Sequence, residues 1–119
     1  KRHASHMLQF RPGTDVSMLN AIMHVIVEEN LFDQQYIEAF TENWAAEKEH
    51  LKDFSPEKMA PICGIEAETL RDVARTFAGA NAGMIFWGMG ISQHIHGTMA
   101  CGRLLPMSGS LGIFHPRMA

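Results

Sequence analysis

The sequence predicts a mainly helical α/β fold, with about five helices and one or two short parallel strands, in a single domain over residues 1–119. Three observations lead there. Apolar residues recur at helical spacing through most of the chain. Several of those stretches are flanked by strong start and stop residues. The run Met84-Ile85-Phe86-Trp87 is continuously apolar and bounded by glycines, as expected for a strand buried on both faces. With 46% hydrophobic and 19% charged residues the composition is globular rather than disordered.

In chain order, Met7–Phe10 is compatible with a strand and Arg11-Pro12-Gly13-Thr14-Asp15 reads as a turn. Asp15 is a suitable N-cap for a helix from Val16 to Glu29, where Leu19, Ile22, Met23 and Ile26 share one face and Val25 and Val27 widen it. Asn30 can close that helix. Asp33 can cap a second one over Gln34 to Phe40, and Trp44 to Leu51 reads as a third. Ser55-Pro56 is an N-cap followed by proline at the first helical position, Pro61 keeps this helix short, and Gly64 suits a left-handed stop. From Glu66 to Phe77, the residues Leu70, Val73, Ala74 and Phe77 recur at helical spacing. After the apolar run, Ile91 to Leu105 is expected to begin as loop and become helix, and Ser108 to Gly112 is loop-like. Because two strands alone are marginal, pairing across a dimer is the expected remedy.

Ten Lys and Arg against thirteen Asp and Glu leave a net charge of −3 with no basic patch, which excludes nucleic acid as the expected partner. The two cysteines, Cys63 and Cys101, form no paired pattern, so a reducing cytoplasm is expected and a disulfide or zinc scaffold is not. No apolar stretch approaches the roughly 20 residues needed to cross a bilayer, and no membrane association or leader peptide is expected.

Chemistry concentrates at the second glycine turn. A strand running into Gly88-Met89-Gly90 and then toward a helix is a geometry that binds phosphates, because glycines let an anion approach the backbone. A tight strand-to-loop turn explains the same residues equally simply. His94 and His96 could face one ligand, but no carboxylate or cysteine lies close in sequence to complete a metal shell. His24 reads as a partnered core histidine, Cys63 as a packed helix-end residue, and the methionines as core filling. No nucleophile motif is present, and no residue is assigned a catalytic or metal-ligating role.

Three ordered segments carry a resemblance. They are His6-x-Leu8-Gln9-Phe10-Arg11-Pro12-Gly13-Thr14-Asp15, then Leu19-Asn20-Ala21-x-x-His24-x-Ile26, then Ile85-Phe86-Trp87-Gly88-Met89-Gly90-Ile91-Ser92-Gln93-His94-x-His96-Gly97-Thr98, with Ser55-Pro56-Glu57-Lys58 and Ile62-Cys63-Gly64 between them. Over roughly residues 3–98 the chain resembles the alpha subunit of cytoplasmic, NAD-linked formate dehydrogenases, within the molybdopterin oxidoreductases. The resemblance implies an internal fragment of a dinucleotide-binding-like domain that helps hold a bis(molybdopterin guanine dinucleotide) cofactor. It places Gly13, Thr14 and Asp15 near a guanosine end and Gly88, Met89, Gly90, Gln93, His94 and Gly97 along a pterin dinucleotide. The family's molybdenum ligand, active-site arginine and iron–sulfur cysteines belong upstream of these motifs, so formate oxidation by these 119 residues alone is not expected. Residues 99–119 follow the family pattern poorly and read as a divergent tail. A stand-alone interaction module is the second reading: Ile22, Ile26, Phe86 and Trp87 would be exposed, and self-association into a homo-oligomer would cover them.

Overall fold

Helix α1, Asp15–Glu28, forms the centre of the molecule because its apolar residues occupy more than one face: Leu19, Ala21, Ile22, Met23, Val25 and Ile26 are all buried. The computed structural model describes residues 3–80, 83–98 and 102. Around α1 lie α2 (Gln34–Phe40), α3 (Trp44–Leu51), α4 (Pro56–Cys63), α5 (Ala67–Ala78) and the single turn α6 (Met89–Ser92). Helices α4 and α5 pack on α1 and on each other, and α3 packs on α1. Leu51, Met59, Cys63, Ile65, Leu70 and Ala74 complete the core.

Local chemistry sets most boundaries. Asn30 adopts a left-handed φ of 53°. The amides of Asn30 and Leu31 then return to the carbonyls of Val27 and Ile26, the paired bonds of a Schellman stop. The Asp33 carboxylate accepts the Tyr36 amide at 3.0 Å and starts α2. Ser55 Oγ accepts the Lys58 amide, Pro56 takes the first position of α4, and Gly64 ends it at φ 75°. Asp15 does not cap α1: Thr14 holds the N-cap position, without a side-chain cap, and Asp15 is the first helical residue. The Thr14 hydroxyl is engaged elsewhere, donating to the Arg11 carbonyl at 2.6 Å. The Asp15 carboxylate still lies at the positive end of the helix.

Ion pairs fasten α5 to its neighbours. Arg71 bridges Glu28 at 3.1 Å and Glu57 at 2.6 Å, and Arg75 pairs with Glu29 at 2.6 Å. The Arg75 guanidinium holds the Glu29 carboxyl below its ordinary value, and Arg71 does the same to Glu57. Behind them, His24 donates from Nδ1 to the Leu51 carbonyl at 2.7 Å, which is the core-histidine role its sequence position suggests.

The expected strands do not form. Among the described residues there are six helices and no strand; neither Met7–Phe10 nor Met84–Trp87 pairs with another segment. A ladder requires a partner backbone, and none of the described residues supplies one. Phe86 and Trp87 are 86% and 58% exposed rather than buried on both faces, while Ile85 packs inward. Ile22 and Ile26, which the helical stripe assigns to a core face and which only the self-association reading would expose, are 5% and 0% exposed, because α4 and α5 cover α1. In the stretch expected to begin as loop and become helix, a single helical turn, α6, comes first over Met89–Ser92; residues 93–96 then form turns, and Gly97, Thr98 and Gly102 are helical. Residues 99–101 and the tail over 103–119 lie outside the described residues.

Candidate functional site

The Arg11–Asp15 turn is built by its own residues and by the end of α4. Gly13 has φ 82°, a conformation that side chains rarely adopt. Arg11 donates its amide to the Cys63 carbonyl at 2.8 Å and its guanidinium to the Pro61 carbonyl at 2.9 Å. Cys63 is buried, its thiol 3.9 Å from the Thr14 carbonyl, and burial pushes the thiol's pKa up. It is the packed helix-end residue its sequence position suggests.

This turn meets the segment after Gly88. A cleft of about 380 Å³ is lined by Gly13, Asp15, Val16, Ile91, His94, Ile95 and His96. Residues far apart in the chain thus share one space, with aliphatic walls from Val16, Ile91 and Ile95 and polar groups from Asp15, His94 and His96. The Asp15 side chain has no hydrogen-bond or ion-pair partner among the described residues, which leaves two carboxylate oxygens available. His94 donates from Nε2 to the Gly90 carbonyl at 2.7 Å, so its Nδ1 is its remaining polar atom. Asn20, one turn beyond Val16 on the same face of α1, is buried with an unpartnered Oδ1. Among the described residues no three His, Cys, Asp or Glu side chains come together as a metal site.

The nine residues singled out from the sequence divide into three groups. Gly13, Asp15 and His94 line the cleft. Thr14 ties the turn, and Gly97 closes the following loop: its amide donates to the His94 carbonyl at 2.9 Å, and an added Cβ would overlap the Ser92 carbonyl. Gly88, Met89, Gly90 and Gln93 sit beside the cleft without lining it, and a Cβ added at Gly88 or Gly90 would meet nothing within 4 Å. Neither of those glycines has positive φ. Sequence reading missed Val16, Ile91 and Ile95 as cleft walls, since only the three-dimensional approach of two distant segments gives them that place. It also missed the guanidinium link from Arg11 to α4.

No helix among the described residues is long and apolar enough to cross a membrane. The pattern of the molybdopterin oxidoreductases matches residues 1–116, past the point where the motif resemblance stops. The chain is 34% identical to the F420-dependent formate dehydrogenase 1 subunit alpha of Methanococcus maripaludis, with 93% of this chain and 17% of that protein covered. It is 32% identical to formate dehydrogenase H of Escherichia coli (96% and 16% covered) and 42% identical to a nitrate reductase of Symbiobacterium thermophilum (80% and 14% covered). The chain therefore spans about a sixth of the length of such relatives. Acetylene hydratase from Pelobacter acetylenicus shares the fold, with a TM-score of 0.93, 24% identity, and 98% of this chain and 16% of that one covered. The matched pattern and the formate dehydrogenase relatives establish that this chain belongs to the molybdopterin oxidoreductase family.

Proposed function

We propose that this chain forms part of the region of a formate dehydrogenase-like oxidoreductase that holds the guanosine diphosphate end of a molybdopterin guanine dinucleotide, in a cytoplasmic protein. The observation that carries the reading is the shared cleft, in which Gly13 and Asp15 of one motif face His94 of the other. The residues fit the group. A carboxylate with neither oxygen engaged among the described residues can accept the N1–H and N2–H donors of guanine, and aliphatic side chains on either side suit a flat base. Gly88 and Gly90 leave open backbone beside the cleft, which favours the approach of a diphosphate. When bound, the cofactor supplies the redox chemistry of the parent enzymes. This chain's part is to bind and orient the nucleotide end. Neither Cys63 nor Cys101 is followed by histidine, as the family's metal ligand is, so turnover of formate is assigned to residues other than these 119.

The test is binding of GDP and GMP to the purified chain by calorimetry and thermal shift, with ADP as control. GDP is expected to raise the melting temperature, ADP to raise it less, and Asp15→Ala to remove the difference. No stabilisation by any guanine nucleotide would end the proposal. A second reading, self-association, is favoured by Met84, Phe86, Trp87, Met89 and Ile95, all exposed within one segment. Light scattering on the same samples addresses it: a dimer that Phe86→Ser turns into a monomer, with no nucleotide response, would support it instead.

A further inference from the structure

The last carbonyls of a helix have no partner within it. At the end of α4, Arg11 takes two of them, Cys63 O with its amide at 2.8 Å and Pro61 O with its guanidinium at 2.9 Å, across a sequence separation of 50 for the latter. A cation at a helix C-terminus also suits the helix dipole. The arginine side chain lies over Gly64, where an added Cβ would meet Nε at 3.2 Å and Cγ at 3.3 Å. On its other side the Arg11 carbonyl accepts both the Thr14 amide, at 3.2 Å, and the Thr14 hydroxyl, at 2.6 Å. Arg11 is thus the residue that ties the turn to α4, while the side chain of the next residue after Thr14, Asp15, has no partner among the described residues. Arg11 does not line the cleft.

We infer that Arg11 is a positioning residue: by clamping the turn to the end of α4 it sets where the Asp15 carboxylate stands in the cleft. The inference rests on the reading of Asp15 as a nucleotide contact. Sequence alone hides the link, because the bonded carbonyls belong to the backbone of a distant helix.

The experiment measures GDP affinity by calorimetry, at a temperature where each variant is folded, for the 119-residue chain and for Arg11→Ala, Arg11→Lys, Gly64→Ala and Asp15→Ala. Losing one anchoring hydrogen bond is expected to weaken GDP binding about three- to tenfold in Arg11→Ala. Arg11→Lys keeps one donor and should recover part of the loss. Gly64→Ala keeps the guanidinium charge but crowds the side chain, and should weaken binding in the same direction. Hydrogen exchange gives a readout free of ligand: the Thr14 amide should exchange faster in Arg11→Ala and in Gly64→Ala. If Arg11→Ala and Gly64→Ala melt earlier but bind GDP as the parent does, the clasp serves stability alone and the inference is overturned. Loss in Arg11→Ala with full binding in Gly64→Ala would mean that the charge itself meets the nucleotide, which also overturns it. Undiminished binding by Asp15→Ala would remove the guanosine reading and this inference together, whereas loss in Asp15→Ala with intact Arg11→Ala removes only the inference.

Discussion

Replacing Gly90 by alanine is expected to stabilise the fold and weaken nucleotide binding at once. Gly90 lies inside α6, its φ is not left-handed, and an added methyl would meet no atom within 4 Å. Glycine within a helix is less favourable than alanine by about 0.5–1 kcal/mol, mainly through the freedom it loses on folding. For a domain of this size that gain raises the melting temperature by roughly 2–6 °C. The bond from His94 Nε2 to the Gly90 carbonyl uses the backbone and survives the change. For a diphosphate the sign reverses, because the methyl would stand where the anion approaches. GDP should bind about tenfold more weakly, a difference of roughly 1.4 kcal/mol, with a smaller change for GMP. Circular dichroism melts and calorimetry on the same preparation read both effects. A lowered melting temperature would show that the chain itself needs this glycine, and an unchanged GDP affinity would take the glycine turn out of the site.

Gly97→Ala should act oppositely, since its Cβ would overlap the Ser92 carbonyl and break the amide bond to His94; a loss of about 1–3 kcal/mol is expected by urea denaturation. Ile26→Ala empties a fully buried site in α1 and should cost about 2–5 kcal/mol in the same assay. Glu29 and Glu57 have folded pKa values lowered by Arg75 and Arg71, so their contribution is fully present above the unfolded glutamate value of about 4.3 and is lost as pH falls through the lowered folded values. Melts between pH 5 and about pH 3 should show this acid sensitivity reduced in Glu29→Gln, and an identical profile would contradict it.

Helices α2 and α4 and the end of α1 could be placed from the sequence because those ends are decided within a few residues. Asp33, Ser55-Pro56, Asn30 and Gly64 act on neighbouring amides and carbonyls, and such bonds need no knowledge of the rest of the chain. The Asp15 cap failed by one residue, because the Met18 amide already donates to the Thr14 carbonyl and so makes Thr14 the N-cap and Asp15 the first helical residue. The strands failed for a different reason: an apolar run records that a segment suits a buried sheet and says nothing about whether a partner strand is present. The candidate site could be picked out in the sequence only as two separate motifs. That they meet in one cleft could not, since it depends on the chain bringing the start of α1 beside residues 91–96.

In α1, α4 and α5 local preference and packing mostly agree: stop residues end α1 and α4, the apolar residues of α1 are covered, and the arginines of α5 find carboxylates. Between residues 84 and 95 they disagree. A glycine occupies a helical position with open space where a side chain would begin, the helix there closes after four residues, and Phe86 and Trp87 face water. Natural sequences depart from local consistency chiefly at functional sites, where something else makes up the difference. On the proposed reading a nucleotide diphosphate would meet the departure on the glycine side, and on the second reading another copy of the chain would meet it on the aromatic side. The two are separable: Gly90→Ala should alter nucleotide affinity and leave the association state unchanged, while Phe86→Ser should do the reverse. If either substitution moved both properties together, the segment would be one surface rather than two.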